Sequence, residues 1–236
     1  MQKKEELNII KPIDNPYSKN TVFGQEYLAI LEKVQKIIYY QQKYKIKDGI
    51  KGFIFFGEVG TGKTTIAKVL ANVLNFTYIF VDGSDIARSL YGESERQIAE
   101  IFKKAENYGR VIIIIDDCES VFPTRDWIKG ESWHIAQNNV FFHCLDNVDT
   151  SKISVILTTN RFELIDKAVK DRLYPIEFPF PTKETLKIIA ENKCKQLQMD
   201  ADQMISQIDK GDFKTIREIE KLITEQYIDT ILSKEL

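Results

Sequence analysis

Cysteine and histidine are scarce in this chain of 236 residues, with three of the first and two of the second. Cys118, Cys144 and Cys194 are odd in number and far apart, which excludes a disulfide framework, and neither they nor His134 and His143 show metal-type spacing. A reducing, cytoplasmic setting is the expectation. A long apolar run is also missing: the longest aliphatic stretch, 111–115, is far too short to span a bilayer, and the charged segment 1–7 holds no apolar core of a secretory signal. Nor does one sign of charge prevail, because 33 basic residues face 35 acidic ones and the formal charge is −2. That balance excludes a global field drawing the molecule to nucleic acid or anionic lipid, and any polyanion contact has to be local. No internal repeat or low-complexity tract is visible, so solenoid architectures are set aside.

An apolar fraction of 43% is enough for a packed core, and 236 residues allow one large domain or a medium one with a small companion. Within 25–45, Leu28, Leu31, Val34, Ile37 and Ile38 recur at helical spacing among polar residues, predicting an amphipathic helix that Gly49 and Gly52 end. Short apolar runs at 53–56, 77–81, 111–115 and 153–158 then alternate with helical patterns at 65–74 and 94–107. This alternation predicts an α/β fold with a parallel sheet between helical layers. Three of the six prolines fall at Pro175, Pro179 and Pro181, and beyond them the chain reads as charged helices at 182–197 and 213–232. The expected division is an N-terminal segment with its amphipathic helix (1–50), an α/β domain (51–180) and a small all-α domain (181–236).

Gly57, Glu58, Val59, Gly60, Thr61, Gly62, Lys63 and Thr64 satisfy the pattern of a phosphate-binding loop, with glycine first and sixth, then lysine, then a hydroxyl. A predicted strand runs into the loop and a helical pattern, opening near Thr65, runs out of it. Backbone N–H groups and the helix N-terminus can thus converge on phosphate oxygens, glycines permitting the close approach. Lys63 is placed to reach the β and γ phosphates of ATP and the Thr64 hydroxyl to coordinate Mg²⁺. Five aliphatic residues at 111–115 deliver Asp116 and Asp117 to the carboxyl end of a central strand, the ligand edge of such sheets. There Asp116 suits the Mg²⁺ shell and Asp117 the polarising of an attacking water.

Together these motifs resemble the AAA+ ATPases, and within them the AAA branch proper, over most of 21–232. The fold the resemblance implies is a P-loop three-layer α/β sandwich followed by a small all-α lid. Asn160, after the strand-like ILTT at 156–159, looks like the sensor asparagine that contacts the γ-phosphate and the lytic water. Leu90, Tyr91 and Gly92 resemble the loop that projects into the pore of AAA rings and grips an extended polypeptide, with the usual aromatic and aliphatic order inverted; an ordinary helix cap with Tyr91 packed on a neighbour is the alternative. Arg172 is the positional match to an arginine finger acting on a neighbouring subunit, against the alternative of an ion pair with Asp166 or Asp171. Arg217 resembles the lid arginine that reaches back to the nucleotide, and Phe23 with Gly24 the turn that contacts adenine, unless this turn only anchors the first helix.

The resemblance implies a homo-oligomeric, hexameric ATPase that uses ATP and Mg²⁺ to remodel or translocate a protein or peptide substrate, with no membrane partner. It departs from the family pattern where Asp117 stands in place of glutamate, one methylene shorter. Slow turnover is therefore expected, and an ATP-gated switch or scaffold with little hydrolysis is the alternative; a DNA-directed loader fits less well, given the near-neutral charge. Glu119 lies close enough in sequence to share the base's task. The lid, at 182–236, is short for the family. Trp127 and Trp133, in the aperiodic stretch 123–137, suggest either a second pore-facing loop or aromatics anchoring a surface loop.

Overall fold

The aliphatic run that reads as a central strand is one. In the computed structural model, which describes residues 7–87, 92–124 and 133–235, β4 (Val111–Asp116) lies between β3 (Thr77–Asp82) and β5 (Ile153–Thr159), parallel to both. β2 (Gly52–Phe56) pairs in parallel with β5, and β6 (Tyr174–Glu177) with β2, while β1 (Asn8–Ile10) closes the other edge antiparallel to β3. The strand order is β1-β3-β4-β5-β2-β6. Every aliphatic of β4 is buried, as a strand covered on both faces requires. Ile113 and Ile115 enter one apolar cluster, and Ile112 and Ile114 the opposite one, so the period of two splits the run between two cores.

One layer consists of α1 (Gln25–Lys43) and α2 (Lys63–Leu74), which meet the sheet through Leu31, Val34, Ile38, Ile66 and Leu70. These positions follow helical spacing, and Leu31, Val34 and Ile38 belong to the apolar stripe that the sequence marks. The other layer holds α3 (Gly83–Ala87), α4 (Glu93–Glu106) and α5 (Trp133–Asp146), with Ile98, Ile101, Phe102 and Phe141 facing the sheet. A short α6 (Lys167–Arg172) leads into β6. The fold is thus a three-layer α/β sandwich with a largely parallel sheet.

Beyond β6, α7 (Lys183–Gln196), α8 (Asp202–Lys210) and α9 (Ile216–Glu235) gather around Leu186, Ala190, Cys194, Met204, Ile208, Ile219 and Ile223, a cluster separate from the two sheet cores. They form a small helical lid. α7 starts at Thr182, whose hydroxyl accepts the Thr185 N–H at 3.1 Å.

Several elements differ from the sequence reading. The proline-rich stretch read as ending the alternation begins with β6, and Pro175 is tolerated because β6 is an edge strand that needs no outward N–H donor. The aperiodic stretch at 123–137 runs into α5, which packs sheet-side and neighbour-side residues at once and so shows little amphipathic period. α8 was not expected, since nine residues with Met204 and Ile208 as their buried pair give too short a pattern. Among the described residues no helix is long and apolar enough to cross a membrane.

Candidate nucleotide site

β2 ends at Phe56 and the chain turns through 57–62 before α2 begins at Lys63. The turn depends on backbone that other residues adopt badly: Gly57 has φ +143°, and a Cβ there would come within 2.4 Å of the Phe178 carbonyl oxygen. Lys63 is buried, and its Nζ donates to the carbonyls of Gly57 at 2.8 Å and Glu58 at 2.7 Å. Burial pulls its ammonium pKa down, against the upward pull of Asp117, Asp116, Glu119 and Glu58. An ammonium resting on neutral carbonyls beside a glycine-rich loop is a donor set for a polyanion.

The carboxylate pair stands across from it. Asp116 Oδ1 accepts from the Thr64 hydroxyl at 2.6 Å and also from the Thr158 hydroxyl, so the end of β4, the start of α2 and β5 meet at one oxygen. Asp117 adopts a left-handed backbone, φ +48° and ψ +49°, which an aspartate tolerates better than most residues. Its N–H reaches the Thr158 hydroxyl at 3.3 Å, and its Oδ1 accepts from Asn160 Nδ2 at 3.1 Å. Burial, then the like charges of Asp116, Glu119 and Asp82, raise the Asp117 pKa, with Lys63 opposing. A hydroxyl and one carboxylate fit Mg²⁺, which keeps waters and shares its shell with phosphate oxygens instead of filling an all-protein cage. Among the described residues there is no group of three or more His, Cys, Asp or Glu side chains that could hold a metal ion by themselves.

Between the sandwich and the lid lies a cleft of about 770 Å³, within the range of small-molecule sites. Loop residues Val59 to Thr65, Asp116, Asp117, Thr158 and Asn160 line its floor. Phe23, Tyr17, Val22 and Tyr27 line one wall; Ile189, Asn192, Lys193 and Gln196 of α7, and Ile216, Arg217 and Glu220 of α9, form the lid side. The lid touches the phosphate loop directly, because the Ile216 N–H donates to the Gly60 carbonyl at 3.1 Å.

The site residues read from sequence divide into four groups. Val59, Gly60, Thr61, Gly62, Lys63, Thr64, Thr65, Asp116, Asp117, Asn160, Phe23 and Arg217 all line this one cleft. Gly57 and Glu58 stand behind it as acceptors for Lys63, and Gly24 lies outside it as the N-cap of α1. Arg172 does not line the cleft. Its intrachain partner is Asp146, at 3.1 Å, in place of Asp166 or Asp171; Asp166 instead caps α6 by accepting the Ala168 N–H. Leu90 and Tyr91 lie outside the described residues, as does most of the stretch holding Trp127, while Gly92 caps α4 with φ +83°. Glu119 does not line the cleft. The sequence reading missed Thr158, although its place two residues before Asn160 on β5 was a usable signal. It also missed Tyr17 and the α7 wall, which nothing local marks.

The family model described as "ATPase family associated with various cellular activities (AAA)" matches residues 53–180, more than half of the chain. Among curated proteins, the chain is similar to Protein SAV of Sulfolobus acidocaldarius, at 39% identity over 127 residues, covering 52% of this chain and 16% of that protein. A cell division cycle protein 48 homolog of Archaeoglobus fulgidus is 35% identical over 161 residues, 64% of this chain and 21% of its own length. A 26S proteasome regulatory subunit 8 homolog of Schizosaccharomyces pombe is 32% identical over 143 residues, with coverage of 57% and 35%. The aligned part is thus a minor share of each relative. The family match runs from the strand feeding the phosphate loop to the prolines before the lid and takes in the loop, the acidic strand end and Asn160, and the chain belongs to the AAA family of ATPases.

Proposed function

We propose that this chain binds ATP·Mg²⁺ in the cleft between sandwich and lid and hydrolyses it slowly, working in the cytoplasm as a homo-oligomeric, hexameric ring that remodels or translocates a protein or peptide substrate. The observation that carries the reading is the meeting of Lys63, Thr64, Asp116 and Asp117 on the floor of one cleft that the lid overhangs. In it Lys63 binds the β and γ phosphates, Thr64 and Asp116 hold the metal ion, and Asp117 and Asn160 orient the attacking water. Mg²⁺, when bound, supplies charge neutralisation between the β and γ oxygens. Phe23 packs on the base, and Arg217 answers the nucleotide from the lid. Arg172 serves a neighbouring copy, and Leu90, Tyr91 and Gly92 hold the substrate. The segment 1–50, the ATPase domain 51–180 and the lid 181–236 are the working parts. The name of one relative, a 26S proteasome regulatory subunit, supports a protein substrate over nucleic acid.

The test is a pair of measurements on the wild type and Lys63→Ala: nucleotide titration with Mg²⁺, and sizing with ATP, ADP or neither. The wild type should bind ATP and assemble more readily with it, and Lys63→Ala should do neither. Wild-type protein that ignores adenine nucleotides would end the reading. One observation favours a second reading, an ATP-gated switch or scaffold: Asp117 is one methylene shorter than glutamate, which draws the base back from the lytic water and slows turnover. Assembly that follows ATP binding while phosphate release stays at background would select it.

A further inference from the structure

We propose that Glu26 is a positioning residue of the nucleotide site: a carboxylate of the sandwich that latches the first turn of lid helix α7 and so sets ATP affinity without touching the nucleotide. This rests on the cleft being an ATP site. A helix opening with threonine at its N-cap ordinarily completes its capping box with Glu or Gln three residues on, whose side chain reaches back to the N-cap N–H. In α7 the third position is Thr185, whose hydroxyl donates and cannot answer that N–H as a carboxylate would. Glu26 supplies the missing acceptor from another part of the fold. Its Oε1 takes the Thr182 N–H at 3.1 Å and the Thr185 hydroxyl at 2.8 Å. The negative charge also lies at the positive end of α7.

The surroundings point the same way. Tyr27, one residue on, donates its hydroxyl to the Pro179 carbonyl at 3.0 Å and holds the strap that leads into the lid. Gly24 has φ +90°, and a Cβ there would meet the Thr185 hydroxyl oxygen at 2.5 Å, so the first turn of α1 sits hard against α7. Phe23, immediately before, lines the cleft, and α7 contributes Ile189, Asn192 and Lys193 to its far wall. One short stretch therefore forms a wall of the site and grips the helix that forms the other. With the latch broken, the lid spends less time closed, and apparent ATP affinity falls by the fraction of closed molecules.

Because both donors to Glu26 are neutral, a glutamine oxygen can replace the carboxylate, which gives the test its discrimination. Full-length wild type, Glu26→Gln, Glu26→Ala, Thr185→Val and the Glu26→Ala/Thr185→Val double variant are titrated with a fluorescent ATP analogue and Mg²⁺. Amide exchange across 182–186 is followed without nucleotide. Glu26→Ala is expected to weaken binding about five- to tenfold, to leave turnover at saturating ATP within about twofold, and to speed exchange at the start of α7. Glu26→Gln should stay within about twofold of wild type, and the double variant should be no weaker than Glu26→Ala by more than a small factor, since both changes cut one contact. Wild-type affinity in Glu26→Ala, or an equal loss in Glu26→Gln, overturns the latch. If the wild type binds no ATP, the functional reading falls instead, and exchange at 182–186 alone then decides whether the latch exists.

Discussion

Asn160 donates its side-chain amide to Oδ1 of Asp117 at 3.1 Å, joining the end of β5 to the residue just past β4 at the edge where the phosphate loop lies. The same aspartate is held at its N–H by Thr158, so both its backbone and its carboxylate have fixed directions. Its reach, however, is one methylene less than a glutamate would have. Asp117→Glu is expected to raise phosphate release about tenfold or more and leave ATP affinity within about twofold, because only the distance to the lytic water changes. Asn160→Ala should bind ATP normally and lose turnover on the order of a hundredfold. Single-turnover phosphate release checks both. An Asp117→Glu protein slower than wild type would mean that this cleft is fitted to the shorter base.

Arg172 gives a second prediction. Its Nε meets Asp146 at 3.1 Å, its NH1 meets the Ala168 carbonyl at 3.2 Å, and its guanidinium lies 4.4 Å from the Phe142 ring centre. The pair is partly exposed, and such pairs contribute about 0–1 kcal/mol, little enough for a neighbouring copy's phosphate to displace the aspartate. Arg172→Ala should therefore spare ATP binding and cost at least about a hundredfold in turnover of the assembled protein. Asp146→Asn should keep or raise that turnover. Normal hydrolysis by assembled Arg172→Ala would leave the arginine with a purely intrachain role.

What the sequence made legible follows from which interactions are local. The phosphate loop, the burial of 111–115 and the α1 stripe each need only a few neighbouring residues, and all three stand where periodicity and glycine spacing put them. β1 and β6 were illegible because a three- or four-residue edge strand draws its pairing from partners far along the chain. The lid wall of the cleft was hidden for the same reason: Asn192 and Lys193 look like any polar helix positions until α7 is set against Tyr17 and Phe23. Asp146 as the partner of Arg172 is likewise a product of α5 packing beside α6, whereas sequence proximity suggested Asp166 and Asp171.

The contact between Gly60 and the lid leads to a stability prediction. Gly60 has φ +79°, and a Cβ there would come within 2.8 Å of Arg217 Cβ and 3.3 Å of Thr215 Cβ. Gly60→Ala thus meets backbone strain and a steric clash together, and should cost about 1–3 kcal/mol unless the lid swings away. Lid displacement also weakens ATP binding, because the loop and Arg217 part. Thermal melting with and without ATP separates the two: loss by strain lowers both melting points, and loss by lid displacement lowers chiefly the gain that ATP confers.

Asp117 also makes the metal-free protein's stability depend on pH in a defined sense. Burial and the neighbouring Asp116, Glu119 and Asp82 raise its pKa above the ordinary 3.8, so between that value and the raised one the folded chain holds more of a proton than the unfolded chain. Stability then falls as pH rises through that window, and the penalty is fully present above it. Asp117→Asn removes the ionisation but keeps an oxygen to accept from Asn160. With chelator and without nucleotide, the variant should melt higher than wild type at pH 7 to 8, and the gap should shrink as pH falls toward 4. A gap that is the same at every pH would show that the carboxylate bears no cost of confinement.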